Sequence, residues 1–215
     1  MGDSVKLERV RTVSSHQRTV RAAPVVHMVG AFSPEECEAI VALGAVLPRH
    51  EASSSYDPVS LRQLDMRQGS ATWLASDERT SWVYDRLEEV VLQANAAHFG
   101  FDVTSIETLQ LSAYGPGDYF GVHADFGFLH ATRMISASVQ LTASTDYEGG
   151  DLQFVAPQFK GNELPEAHWD TVLGSGDRRQ GTVVLFPAYA THRVTPVTRG
   201  TRHSLVAWIR GRPHA

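Results

Sequence analysis

Between Glu78 and His98, apolar residues return every three or four positions: Val83, Leu87, Val90, Val91, Ala94 and Ala97. That spacing predicts a helix with one packing stripe, capped by Ser76 or Asp77, with Trp82 and Tyr84 adding bulk near its start and His98 near its end. A shorter helix is predicted from about Pro34 to Leu43. Ser33 can cap it, Pro34 fits its first position, and Glu36 can reach back to close a capping box. Its apolar positions Cys37, Ile40, Val41 and Leu43 recur at helical spacing, so Cys37 reads as a small buried hydrophobe. Ahead of it, Val25 to Val29 is a short β-rich run.

From Thr104 onward the period falls to two. Leu109, Leu111 and Ala113 alternate with Gln110, Ser112 and Tyr114, and Ile135, Ala137, Val139 and Leu141 alternate with Met134, Ser136, Ser138 and Gln140. Further strands are predicted at Leu152 to Val155, Thr182 to Phe186 and His203 to Ile209, separated by turn signals such as Glu148-Gly149-Gly150. Helices first, then short strands with no helices between them, predict a mainly β fold: an antiparallel sandwich or barrel braced by N-terminal helices. Ser53 to Pro58 is turn-rich and reads as a mobile loop, either a plain connection or a finger over a substrate. The polar stretch Pro157 to Gln180 shows no strand pattern.

Composition narrows the partners. A chain of 215 residues without a long Pro-, Gly- or Ser-rich linker predicts one domain over residues 24–215. Residues 1–23, with Lys6, Arg9, Arg11, Arg18 and Arg21, are expected to form a flexible arm. No apolar run reaches the roughly 18–20 residues of a membrane span. One cysteine excludes an intramolecular disulfide, and the N-terminus lacks a secretory pattern, so a cytoplasmic location is expected. The net charge of −5 argues against nucleic-acid and membrane partners.

The candidate chemistry lies in the strand-rich half. Two imidazoles and a carboxylate on one face of a metal leave its other positions open, the arrangement of mononuclear non-haem Fe(II) oxygenases. His-x-Asp occurs twice, as His123-Ala124-Asp125 and His168-Trp169-Asp170. The first follows a strand end and a glycine turn that deliver residues i and i+2 to one side, whereas the second lies in the polar stretch with nothing to fix it. His192, just after the Thr182 to Pro187 run, is the candidate third ligand, although a histidine there is by itself more often structural. Arg202 shares a strand face with Ser204, Val206 and Trp208. An inward Arg calls for an anion, and its planar fork suits a carboxylate, with Ser204 or Tyr114 adding a hydroxyl. Taken alone, Arg202 reads as a surface ion pair.

Taken together, Tyr114-x2-Gly117-x2-Phe120-x2-His123-x-Asp125, then Gly149-Gly150-Asp151-Leu152, then His192-Arg193-Val194 through Arg202 resemble the Fe(II)/2-oxoglutarate dioxygenases of the prolyl 4-hydroxylase type, most nearly the bacterial PKHD-type hydroxylases. The likeness spans about Val25 to Arg210. The Phe32-Ser33-Pro34-Glu35-Glu36-Cys37 and Arg67-x-x-Ser70-x-x-Trp73 segments are similar more faintly. The resemblance implies a double-stranded β-helix, the jelly-roll barrel shared with cupins. It implies Fe(II) held by His123, Asp125 and His192; 2-oxoglutarate bound through Arg202, with Tyr114 and Ser204 as hydrogen-bond partners; and O2 as the oxidant, with ascorbate as an optional reductant. Trp208 and Gln140 are expected at the substrate pocket. The implied reaction hydroxylates an unactivated C–H bond of an amino acid, a peptidyl residue or a related small molecule and releases succinate and CO2, by a monomer or homodimer. Asp125 argues against the related halogenases, which carry a small residue there. Gln140 stands where some relatives place an aromatic, and Pro157 to Gln180 exceeds the corresponding family loop; this segment and Ser53 to Ser60 are expected to cover the site. Two rivals remain: a non-catalytic metal-binding cupin-like module, and a nucleic-acid demethylase, which typically carries a second Arg where Trp208 stands.

Overall fold

The computed structural model describes residues 25–51, 55–57, 62–64, 66–127, 130–158 and 168–212; the expected N-terminal arm and most of the Ser53 to Ser60 and 157–167 stretches lie outside them. The capping box at the first helix forms as its sequence dictates. Ser33 Oγ accepts from the Glu36 N–H at 3.2 Å and the Glu36 carboxylate accepts from the Ser33 N–H at 2.8 Å, opening the helix Pro34–Ala45.

The second helix, Ser81–Ala94, begins later than the apolar stripe suggests. Asp77 does not cap it directly. Its carboxylate accepts from the N–H groups of Arg79 and Thr80, and its carbonyl accepts from Thr80 and Ser81, so a separate turn precedes the first helical residue. At the far end the helix widens into a π turn, Asn95–Phe99. There the Asn95 carboxamide takes the N–H and carbonyl of Phe101, both at 2.9 Å, which pulls the chain out of α register.

Eight strands form the larger sheet, in the order Val26–Met28, Val183–Pro187, Arg133–Gln140, Arg202–Gly211, Leu109–Tyr114, Ser70–Leu74 and His50–Glu51, with Val103–Ile106 also paired to Arg202–Gly211. A five-stranded sheet runs His168–Ser175, Leu152–Gln158, His192–Val194, Tyr119–His123 and Arg67–Gln68. All described pairings are antiparallel. The period-two pattern explains how the sheets stack. Leu109, Leu111, Ile135, Ala137, Val139, Leu205, Ala207 and Ile209 pack with Val83, Leu87, Val90 and Val91 of the helix and with Cys37 and Ile40. A fully buried Leu or Ile in such a cluster contributes roughly 1.5–3 kcal/mol of transfer free energy. The alternate residues Gln110, Ser138, Arg202, Ser204 and Trp208 turn the other way and line a cavity between the sheets. The polar half of the alternation is therefore a second buried face, not a solvated one.

Two expectations about loops change. The stretch expected to lack a strand contains one, His168–Ser175, paired along Leu152–Gln158 with two register shifts. Its sequence hides it because it is an edge strand: Val172 and Leu173 point to solvent, and the backbone ladder, not an apolar face, holds it. Ser55–Asp57, expected within a loop, pairs with Arg62–Leu64 as a short hairpin.

The Gly149-Gly150 turn meets the start of the final strand. Both residues have positive φ, +70° and +63°. A Cβ on Gly149 would lie 2.1 Å from the Pro196 carbonyl oxygen, and one on Gly150 would lie 3.0 Å from Arg202 Cδ. Left-handed strain and collision with fixed backbone act together at Gly149, so Gly149→Ala is expected to cost about 2–4 kcal/mol in urea unfolding. A loss under about 0.5 kcal/mol would contradict this account. Among the described residues, no helix is long and apolar enough to cross a membrane.

Candidate active site

His123 ends the Tyr119–His123 strand, and His192 opens the adjacent His192–Val194 strand, directly opposite it in the register. Asp125 lies just beyond the first strand. Its N–H and that of Phe126 both donate to the Ala188 carbonyl, at 3.0 and 2.9 Å, in the turn that leads from Val183–Pro187 to His192. One turn thus ties Asp125 to the approach of His192. The candidate ligand atoms of His123, Asp125 and His192 lie within 4.8 Å of one another. His123 Nε2 is 3.6 Å from one Asp125 oxygen and His192 Nε2 is 3.8 Å from the other.

The hydrogen bonds fix which nitrogens carry protons. His123 Nδ1 meets the Gly121 carbonyl and His192 Nδ1 meets the Ala190 carbonyl, each at 2.9 Å. A carbonyl only accepts, so each ring holds its proton on Nδ1 and turns the Nε2 lone pair toward Asp125. Burial pushes the His123 pKa down to about 4; His192 adds to that, and Asp125 and the Gly121 carbonyl oppose it. Burial would raise the Asp125 pKa, but the facing His192 and His123, the Ser136 hydroxyl and the Trp208 indole outweigh it and hold the carboxyl below its usual range. With both rings neutral, the form that binds a metal, the two Nε2 lone pairs and the carboxylate converge with no donor between them. Three converging acceptors are unfavourable alone and suit a cation, and imidazole with carboxylate is the donor set of divalent iron.

Around the triad, Phe120 stacks on His123 with ring centres 3.6 Å apart, and Phe186 meets His192 edge-on at 4.8 Å. Ser136 Oγ donates to Asp125 Oδ2 at 2.6 Å from a fully buried position. Sequence reasoning missed Ser136, though its place on the polar half of the Arg133–Gln140 alternation was a signal. Ser136→Ala is expected to weaken divalent-metal binding by about 10- to 100-fold, measured by Co(II) titration, because a ligand whose orienting partner is removed loses its preset geometry. An unchanged affinity would show that the hydroxyl is incidental.

Arg202 is 2% exposed, and among the described residues it has no carboxylate partner. Nη1 donates to Ser204 Oγ at 3.2 Å and Nη2 to Gln140 Oε1 at 2.9 Å, while Nε has no partner. Tyr114 stands opposite it on the next strand, its ring centre 5.8 Å from the guanidinium carbon. Gln140, expected at the substrate pocket, is instead tied to Arg202 and does not line the cavity. Trp208 does line it, and Arg133 lies 4.1 Å above the Trp208 ring, held by a two-point pair to Glu107. His168 and Asp170 sit on the edge strand of the smaller sheet.

Known proteins resemble this chain over the same strands. Residues 109–210 match the 2OG-Fe(II) oxygenase superfamily. A PKHD-type hydroxylase of Idiomarina loihiensis is 29% identical over 135 residues, 62% of this chain and 54% of that one. Another, from a Picosynechococcus strain, is 33% identical over 129 residues, 57% and 52% of the two chains. The chain spans about half the length of these relatives. Among solved structures, a Pseudomonas putida prolyl-4-hydroxylase superposes with a TM-score of 0.64 at 18% identity, covering 88% of this chain and 94% of that one. A Trichoplax adhaerens prolyl hydroxylase, solved in complex with a hypoxia inducible factor oxygen degradation domain peptide fragment, gives 0.65 at 15% identity over 90% and 86%. These likenesses establish the jelly-roll fold expected from the resemblance. The strands that build the cavity, from Leu109 to Arg210, are the part of the chain that resembles the 2OG-Fe(II) oxygenase superfamily.

Proposed function

We propose that the protein is an Fe(II)- and 2-oxoglutarate-dependent hydroxylase, with His123, Asp125 and His192 holding the metal and Arg202 taking the distal carboxylate of 2-oxoglutarate. The observation that carries this reading is the fixed tautomer of both histidines: each Nδ1–H is committed to a carbonyl, so both lone pairs meet the Asp125 carboxylate. The chemistry a bound Fe(II) supplies is O2 activation coupled to oxidative decarboxylation of 2-oxoglutarate, one oxygen atom going to a C–H bond and the other to succinate.

The chain's own part is positioning. Ser136 and the Ala188 carbonyl hold Asp125 from its side chain and its backbone, and Phe120 and Phe186 keep water from the imidazole faces. Arg202, with Ser204 and Tyr114, offers a buried charged fork in the cavity wall, where a carboxylate replaces missing partners instead of competing with water. Trp208 lines the substrate side. In this reading the substrate is an amino acid, a peptidyl residue or a related small molecule, and ascorbate is an optional reductant. The protein acts as a single domain over residues 24–215, in the cytoplasm, as a monomer or homodimer and without nucleic-acid or membrane partners.

The test is to load the protein with Fe(II), supply 2-oxoglutarate and a mixed amino-acid and peptide library, and follow succinate together with one-oxygen mass gains. Iron-dependent succinate that disappears in His123→Ala excludes the non-catalytic cupin-like module. Metal binding without any succinate, across the whole library, would favour it. A one-oxygen gain on a methylated nucleobase would instead favour the demethylase reading, which the Trp208 position and the net charge oppose.

A further inference from the structure

Behind two rings of the cavity wall lies a second guanidinium without an acid among the described residues. Arg67, on the Arg67–Gln68 strand, pairs with Phe120 in the register, and its guanidinium carbon lies 4.8 Å from the Phe120 ring centre and 5.8 Å from that of Tyr114. Both rings line the cavity, and Phe120 stacks on His123. The hydrogen-bond partners of Arg67 are neutral. Nη2 donates to Ser112 Oγ at 3.0 Å, and the Gln110 carboxamide, turned so that its oxygen faces the guanidinium, accepts from Nη1 and Nη2 at 3.3 and 2.9 Å. Nε is buried without a partner, and among the described residues no carboxylate pairs with Arg67.

Charge accounting shows what is missing. Given the iron and 2-oxoglutarate reading above, on which this inference rests, the metal dication, Asp125, the 2-oxoglutarate dianion and Arg202 neutralise one another. Among the described residues Arg67 is left over, one positive charge partly withdrawn from water beside the Phe120 and His123 rings. An uncompensated charge in such a place is costly, and a fork stacked on aromatic rings is preorganised for a planar anion. We propose that Arg67 receives a carboxylate carried by the primary substrate, so that the enzyme selects acidic substrates: a terminal carboxylate or an acidic side chain next to the C–H bond that is hydroxylated. A blocked, neutral peptide lacks the group that completes the site.

The test uses binding and needs no turnover. Zn(II)- and 2-oxoglutarate-loaded full-length protein is titrated with N-acetylglycine, a blocked pentapeptide with an internal aspartate, and neutral N-acetylglycinamide, each followed by ligand-observed NMR. The expected result is that at least one carboxylate probe binds and the amide does not; which one binds separates a terminal carboxylate from a side-chain one. Arg67→Gln should weaken the bound probe by at least about tenfold, Arg67→Lys should keep part of the affinity, and Arg202→Gln should affect 2-oxoglutarate first. Circular dichroism of each variant checks its folding. The proposal is overturned if neither carboxylate probe binds, if the amide binds as tightly, or if folded Arg67→Gln holds the probe as well as the parent. Failure of the underlying iron reading shows separately, as 2-oxoglutarate that does not bind the metal-loaded parent protein.

Discussion

Asp125→Ala should abolish iron-dependent turnover and cut divalent-metal affinity by at least about 100-fold, while costing the metal-free protein only about 1 kcal/mol of stability. Both halves of this result follow from the charge of one carboxylate. Asp125 supplies the only negative charge among the three converging groups, and without it two neutral imidazoles hold a dication poorly. In the metal-free protein burial works against the same carboxylate, but the facing His192 and His123, the Ser136 hydroxyl and the Trp208 indole hold its carboxyl below the usual range. Its charge therefore adds modest stability near neutral pH, which the alanine gives up. Thermal unfolding with and without Co(II) separates the effects. At a ligand concentration 100 times its Kd, binding adds about 2.7 kcal/mol, and this increment should vanish in Asp125→Ala. A variant that unfolds far earlier without metal, and still gains normally from it, would show Asp125 to be a structural residue.

How much of this was legible depends on whether the information was local. The Ser33–Glu36 capping box forms as its four-residue spacing requires, because every group in it is near in sequence. The alternation through Ile135, Ala137 and Val139 gave the strand and its core face. Which of the two His-x-Asp pairs joins His192 was readable from the turn before His123, and the structure brings His123, Asp125 and His192 together. What stayed hidden depends on contacts distant in sequence. Ser136 reaches Asp125 only because Tyr119–His123 ends beneath Arg133–Gln140, and Gln140 meets Arg202 across 62 residues. The His168–Ser175 strand was invisible because its partner supplies the ladder, and from Thr171 to Ser175 no buried period appears. Asp77 was misplaced as a cap because its carboxylate is consumed by a turn one step earlier.

Arg202→Gln should raise the 2-oxoglutarate requirement by at least about 100-fold, with a much smaller change in metal affinity. A two-point guanidinium–carboxylate contact out of water is among the stronger polar contacts a protein makes, and losing one partner of such a pair costs about 2–5 kcal/mol. Glutamine is chosen because it can still bond Ser204 and Gln140, which would otherwise be left without Arg202 as donor. The change then removes the charge while sparing much of the network. The metal ligands belong to other strands and hold their own carbonyl and Ser136 partners, so iron should bind nearly as before. The stability effect has a definite sign as well. Arg202 is buried with no acid beside it in the metal-free, cosubstrate-free protein, so neutralising it should not destabilise that state and should raise its unfolding temperature if the Nε that lacks a partner is a true cost. Isothermal titration with 2-oxoglutarate on the Zn(II)-loaded variant, beside a Co(II) titration, measures both constants. Equal losses of metal and 2-oxoglutarate affinity would mean that Arg202 braces the barrel, and its place in the cavity wall would then be a matter of packing.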